Sequence, residues 1–340
     1  MTRLRLLIII LPYILKNIKK QIRRRRLSYW SRLLFLGLAL QITVGLAKPA
    51  LGHYPEGTAY RAFQFPDHLV PVIDGDLTDW EVVGDSYVIL TGQFHDLISP
   101  EVKASDSDDF AARLMVGWNK AENRLYVAAQ VRDDMHQIDR PAGSATVLWE
   151  DDAMELFIDA DHSGGQFANF TELSYEERIR RNGVEANHFV LAGPPPDEDF
   201  FVNFSAAAWY ALPDGPYTRA AIEFVGILGG KGVTNYEVML VPFDRIDVNA
   251  VFQSEEHLLQ ENEILGFNVE FNDFDVHSEL FDAKWSLSGQ HNSYRFSDRF
   301  TDLILMPLEG TFQSTVVELR SWGRLKASLF TELYQRGVSE

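Results

Sequence analysis

Between Val147 and Gly165 the chain reads Val-Leu-Trp-Glu-Asp-Asp-Ala-Met-Glu-Leu-Phe-Ile-Asp-Ala-Asp-His-Ser-Gly-Gly, which places an aromatic side chain and a dense run of carboxylates within one short stretch. From Asp152 onward the residues alternate. Met154, Leu156 and Ile158 fall on one face of an extended strand, and Glu155, Phe157 and Asp159 fall on the other, with Trp149 joining them if the pairing reaches back that far. A flat indole beside a fixed carboxylate suits a ligand with an apolar C–H face and a hydroxyl rim, which is the chemistry of a pyranose. The following loop, Asp159-Ala-Asp-His-Ser-Gly164, spaces oxygen donors at alternate positions with glycine sixth, like the first half of a calcium loop. Its twelfth position is Phe170, which excludes an EF-hand, so the expectation is a calcium site of Asp159, Asp161 and Ser163 or a metal-free acidic turn.

Strands must carry these groups. Arg113–Trp118, Leu125–Arg132, Met154–Asp159, Tyr236–Val241 and Phe267–Asn272 are short runs rich in Val, Tyr and Phe, and they predict an all-β, two-sheet sandwich. In Phe267–Asn272 the apolar residues are odd-numbered and the polar ones even, so Asn268, Glu270 and Asn272 are expected on the exposed face. Three consecutive prolines make Ala192–Asp199 a loop. At the C-terminal end Val316, Leu319, Trp322, Leu325, Leu329 and Leu333 recur at helical spacing and predict a short amphipathic helix with a packing role.

Composition narrows the function classes. The first 47 residues hold ten of the 31 Lys and Arg and none of the 49 Asp and Glu, so the remainder carries 21 basic against 49 acidic side chains. Such a body repels nucleic acid and fits a neutral ligand, bound cations or simple solubility. With 23 Phe, 12 Tyr and 7 Trp among 340 residues there is ample apolar material for a packed core. No cysteine occurs, which removes disulfides, thiol catalysis and thiolate metal sites.

The basic block Lys16–Arg32 precedes the apolar run Leu33–Ala47, whose ending Gly45-Leu-Ala47 suits signal-peptidase cleavage ahead of Lys48. Export to the periplasm, cell surface or medium is therefore expected, with an uncleaved membrane anchor as the rival reading. The resulting division is a leader over residues 1–47, a lead-in over 48–67, a sandwich over 68–307 and an extension over 308–340.

Four segments, Ile73-Asp-Gly-Asp-Leu-Thr-Asp-Trp80, Leu125-Tyr-Val-Ala-Ala-Gln-Val-Arg-Asp-Asp134, Trp149-Glu-Asp-Asp-Ala-Met-Glu-Leu-Phe-Ile-Asp159 and Gly266-Phe-Asn-Val-Glu-Phe-Asn-Asp273, together resemble the family 9 carbohydrate-binding modules in the family's order. The resemblance implies an antiparallel β-sandwich of jelly-roll type that binds poly- or oligosaccharide without catalysis, possessed of structural calcium in its sugar-binding members. It implies that Trp149 and Glu155 match the family's first stacking tryptophan and its hydroxyl-fixing glutamate. In His291-Asn-Ser-Tyr-Arg-Phe-Ser-Asp298, Tyr294 takes the place of the second tryptophan, with Asn292 a hydrogen-bonding neighbour and His188 a candidate on an adjacent strand.

Catalysis has little to stand on. Asp151 with Glu155 is the kind of carboxylate pair that glycoside hydrolysis uses, but an acidic chain supplies such pairs by chance. No Gly-x-Ser-x-Gly elbow, His-Glu-x-x-His motif or phosphate-cradling glycine loop is present. Two alternatives to sugar binding stay open: a b-type haem module for electron transfer, with Met135, His136 and His188 as ligands, and an envelope domain that binds another protein.

Overall fold

The computed structural model describes residues 54–102, 109–194, 199–275, 280–310 and Phe312. The leader, the Lys48 start, most of the proline loop and the C-terminal amphipathic segment lie outside the described residues. Among them are the strands β1 (Ala59–Gln64), β2 (Ile89–Leu90), β3 (His95–Asp96), β4 (Phe110–Asn119), β5 (Arg124–Asp133), β6 (Ala153–Asp159), β7 (Asn187–Ala192) and β8 (Asp199–Val202). They continue with β9 (Thr218–Gly226), β10 (Gly232–Leu240), β11 (Phe243–Arg245), β12 (Glu255–Glu256), β13 (Ile264–Asp273), β14 (Ala283–Ser286) and β15 (Thr301–Leu305). One short helix, α1 (Tyr175–Arg181), starts from a capping box in which Ser174 and Glu177 satisfy each other's backbone amides. No helix among the described residues is long and apolar enough to cross a membrane.

Thirteen of these strands form one hydrogen-bonded sheet along the path β8-β7-β6-β13-β15-β1-β4-β5-β10-β9, while β11 and β12 pair separately. The all-β expectation holds, but the strictly antiparallel jelly roll is corrected. β1 runs parallel to both of its neighbours, pairing Ala59–Ala62 with Asp302–Leu305 and then Phe63 and Gln64 with Gly117 and Trp118. Short hairpin reasoning cannot see such a strand, because its partners lie far away in sequence. By switching partners midway, β1 ties a front half sheet (β8, β7, β6, β13, β14, β15) to a back half (β4, β5, β10, β9).

Both halves feed one core. Met154, Leu156 and Ile158 from β6 share one buried cluster with Leu125, Val127 and Ala129 from β5, and all six are at most 2% exposed. A second, smaller cluster lies on the back half around Phe63, Phe65, Trp80, Met115 and Tyr126. Gly117 is required there: a Cβ on it would stand 2.2 Å from the Phe65 ring. Trp80, Trp118 and Trp285 are core residues, Trp118 on β4, Trp285 on β14 and Trp80 in the 3-10 turn Leu77–Val82.

The alternation in β6 and β13 puts the residues on the faces expected, with Glu270 directly across from Glu155. Their exposure is not as expected. Asn268, Glu270 and Asn272 are 0%, 3% and 4% exposed, so the polar face of the front half sheet is covered and not solvated. Connecting segments and the edge strand β8 supply the cover: Leu148, Ile138 and Phe201 of β8 pack with Ala153, Val190 and Ala192 at one side, and Phe167, Ala168 and Phe300 pack against Phe157 at the other.

Candidate functional site

Glu155 stands at the centre of the covered polar face. Its Oε1 accepts from Lys284 Nζ at 2.6 Å and from Asn272 Nδ2 at 2.9 Å, and its Oε2 lies 2.7 Å from His188 Nε2. Each partner comes from a different neighbouring strand: His188 from β7, Asn272 from β13 and Lys284 from β14. Period-two geometry selects them, because Lys284 and Ser286 point to this face while Ala283 and Trp285 point to the core.

Lys284 also reaches Glu270 Oε2 at 3.1 Å and so bridges two carboxylates that sit opposite each other in register. Glu270 Oε1 accepts from Asn268 Nδ2 at 3.0 Å and from Ser286 Oγ at 3.2 Å. Burial alone would push the Glu155 pKa up, but the Lys284 charge and the His188 contact more than reverse this and hold it well below the usual carboxylate range. For Lys284 burial works downward, and the charges of Glu155 and Glu270 outweigh it and raise the ammonium pKa.

The His188 ring is fixed on three sides. It stacks on Phe157 with centroids 4.2 Å apart, and its Nδ1 lies 3.2 Å from Asn203 Nδ2. An amide N–H donating to Nδ1 requires the tautomer with hydrogen on Nε2, the atom facing Glu155.

The two rings expected to stack on a ligand lie at the ends of this network. Trp149 is half-buried in the 3-10 turn Ala145–Glu150, and its carbonyl accepts from Asn272 Nδ2 at 3.2 Å. The strand does not extend back to it, since β6 begins at Ala153. At the other end Tyr294 is 36% exposed and leans on Phe204, whose neighbour Asn203 holds His188. Asn292 is exposed in the left-handed region at φ 67, and its carbonyl accepts from the amides of Arg295 and Phe296, closing the turn that presents Tyr294.

Sequence reasoning missed Lys284, Ser286 and Asn203. The four-residue β14 is too short to display a period, and Asn203 lies just past the end of β8.

Other sequence candidates sit apart. Asp159 is fully buried, with Oδ2 accepting from Gly164 N at 2.8 Å and Oδ1 from Ser163 N at 3.2 Å. Asp161 Oδ1 also accepts from Ser163 N, so the six-residue spacing forms a turn folded around Asp159. Burial, helped by the Asp161 carboxylate, pushes the Asp159 pKa up to about 6. Asp151, the other half of the carboxylate pair, is held by Arg140 Nη1 at 3.0 Å and by the amide of Asp139. The haem ligand set finds no support: His136 stacks on Phe224 with Nε2 2.6 Å from the Pro194 carbonyl, and both ring nitrogens of His188 face protein partners.

Residues 95–188 match the family model described as carbohydrate family 9 binding domain-like, a span that includes the second and third of the four sequence segments that carry the resemblance. Among solved structures the chain is similar to a family 9 carbohydrate-binding module from Caldicellulosiruptor kristjanssonii in complex with cellotriose. The identity is 14%, the TM-score 0.45, and the match covers 74% of this chain and 96% of the other. The glucose complex of a module from the same organism gives the same identity and TM-score, with 98% of that chain covered. Comparison with curated protein sequences gives no match.

Proposed function

We propose that this chain, similar over residues 95–188 to carbohydrate family 9 binding domains, binds an oligo- or polysaccharide without cleaving it, and does so as an exported protein that assists polysaccharide breakdown. In this reading Trp149 and Tyr294 stack on the sugar, and Asn292 hydrogen-bonds to it. Glu155 and His188 act from beneath, by fixing Lys284 and the amide groups of the polar face. The observation that carries the reading is the unbroken chain of contacts from the Trp149 turn through Asn272, Glu155 and His188 to Asn203 and the Phe204–Tyr294 pair. Two rings whose turns adjoin one continuous polar floor suit a flat ligand with a polar rim.

The Glu155 oxygens are already engaged by Lys284, Asn272 and His188, which argues against this carboxylate as a free acid or base for hydrolysis.

The test is a binding screen of the full chain against soluble and insoluble plant, algal and microbial glycans, with Trp149→Ala and Tyr294→Ala beside the wild type. Loss of one stacking ring should weaken binding by roughly tenfold or more, with unfolding midpoints close to wild type because neither ring is in the core. Wild-type affinity in both variants would place the ligand elsewhere, and failure of the folded protein to bind any glycan would sink the reading.

A further inference from the structure

The sheet path ends at β9, and the two halves of that edge differ. Odd-numbered residues bond to β10: the Ile227 amide donates to the Lys231 carbonyl just past one end of the strand, and the Val241 amide to the Tyr217 carbonyl just before the other. With a period of two, the amides and carbonyls of Ala220, Ile222, Phe224 and Gly226 point the other way, out of the sheet. The loop before the strand covers the first of these. Pro213 accepts from the Ala220 amide at 3.0 Å, and Asp214 bridges back to Arg219. Among the described residues nothing hydrogen-bonds to the outward backbone groups from Ile222 to Gly226.

Proteins blunt such edges with proline, lysine, a bulge or a covering loop. Here the covering loop stops halfway, the ladder to β10 runs unbroken through all nine residues, and Glu223 is the one charged side chain between Ala220 and Gly226. Apolar side chains flank the open half. Val225, Ile227 and Leu228 at the tip are 66%, 70% and 58% exposed, and Leu212, beside the exposed Pro213 in the covering loop, is 46% exposed.

One occupant meets all of these features. A second copy laid antiparallel along the open half, with the two-fold axis at Phe224, pairs Phe224 with the same residue of its partner and Ile222 with the partner's Gly226, each pair exchanging both backbone bonds. Equal steps outward from Phe224 bring Leu228 level with the partner's Ala220, where Pro213 and Leu212 lie. Ile227 then falls opposite Ala221, a small, half-buried residue that leaves room for it. Neighbouring registers fail. An axis at Ile222 needs the Ala220 amide, which Pro213 already holds, and an axis at Glu223 sets two like charges side by side.

We propose that the chain forms a two-fold dimer through the open half of β9, joining two sheets edge to edge. Five apolar side chains per copy at roughly 100 Å² each, with the paired backbone, reach the lower end of specific interfaces, about 1,200 Å² in total. The proposal does not depend on the sugar reading.

Sedimentation velocity of the full-length chain from about 1 to about 500 µM should show a monomer–dimer equilibrium. Ile227→Lys, at a side chain already largely exposed, should weaken dimerisation by roughly tenfold or more with the unfolding midpoint unmoved, as a charge on an edge does. Phe252→Lys, at an 88% exposed position in the turn Val251–Gln253, should leave the dimer intact. The chain has no cysteine, so one introduced thiol reports the register. Oxidised Phe224→Cys should give a covalent dimer, since a hydrogen-bonded pair sets its Cα atoms about 5.5 Å apart. Arg219→Cys, about 30 Å from its copy in this pairing, should not. A wild type that stays monomeric throughout overturns the proposal. So does a dimer that Ile227→Lys leaves at wild-type strength or that Phe252→Lys weakens equally, and so does cross-linking at Arg219→Cys without cross-linking at Phe224→Cys. If Phe224→Cys does not fold, sedimentation of the wild type and the two lysine variants decides by the same criteria.

Discussion

Lys284→Met is expected to destabilise the fold by about 3–5 kcal/mol at neutral pH, the range for breaking a buried ion pair by removing one partner. Glu155 and Glu270 are cross-strand partners, 2% and 3% exposed, and Lys284 Nζ stands 2.6 Å from one and 3.1 Å from the other. Methionine fills a similar volume but leaves two like charges facing each other out of water.

The pH dependence separates this mechanism from lost packing. In the wild type the Glu155 pKa is lowered on folding, so its contribution is present above the unfolded value of about 4.3 and is lost as pH falls further. The raised Lys284 pKa contributes fully below the unfolded value of about 10.4 and is lost as pH rises through the folded value. Between these limits the pair gives the wild type little pH dependence. In Lys284→Met the lowering influence on the carboxylates is gone and burial dominates, so the variant should recover stability as pH drops from about 7 to about 5. Urea unfolding at the two pH values measures this. A cost under about 1 kcal/mol, or equal costs at both, would show that the pair contributes no more than a surface bridge.

The face assignments were legible in the sequence because they depend only on period two. Met154, Leu156 and Ile158 went to the core and Glu155 and Asn272 to the opposite face, as the structure has them. Burial of that opposite face was not legible. Whether a polar face meets water is decided by remote segments, here those bearing Ile138, Leu148 and Phe167 and the edge strand bearing Phe201, and no local pattern in β6 or β13 encodes them. The same reason hid Asn203 and the Lys284 bridge. It also hid the approach of Asp133 at the end of β5 to Asp273 at the end of β13, whose carboxylate oxygens lie within 4.8 Å of each other across the two half sheets. Parallel pairing at β1 left no trace, since its partners are about 50 and 240 residues away and share no turn with it.

Glu237→Ala should cost about 3 kcal/mol or more, through orphaned donors more than through lost volume. Glu237 is fully buried on β10, where its Oε1 accepts from Trp80 Nε1 at 2.8 Å and its Oε2 from the amides of Asp74 and Gly75, each at 3.0 Å. One carboxylate thus fastens the Ile73–Trp80 segment to the back half sheet, and Trp80 in turn packs edge-on against Phe65 with centroids 5.2 Å apart. Alanine would strand three donors, two of them backbone, and their costs of about 1–3 kcal/mol each will not add fully because the segment can lift as a unit. Glu237→Gln keeps one acceptor oxygen and should lose less than half as much. Chemical unfolding followed by tryptophan fluorescence gives both values, and an alanine variant within about 1 kcal/mol of wild type would mean that the segment is held by packing of Trp80 alone. Because Glu237 lies on the back half sheet and Glu155 on the front, the fraction of Glu237→Ala that remains folded should bind glycan with wild-type affinity, which separates the clamp from the proposed sugar site.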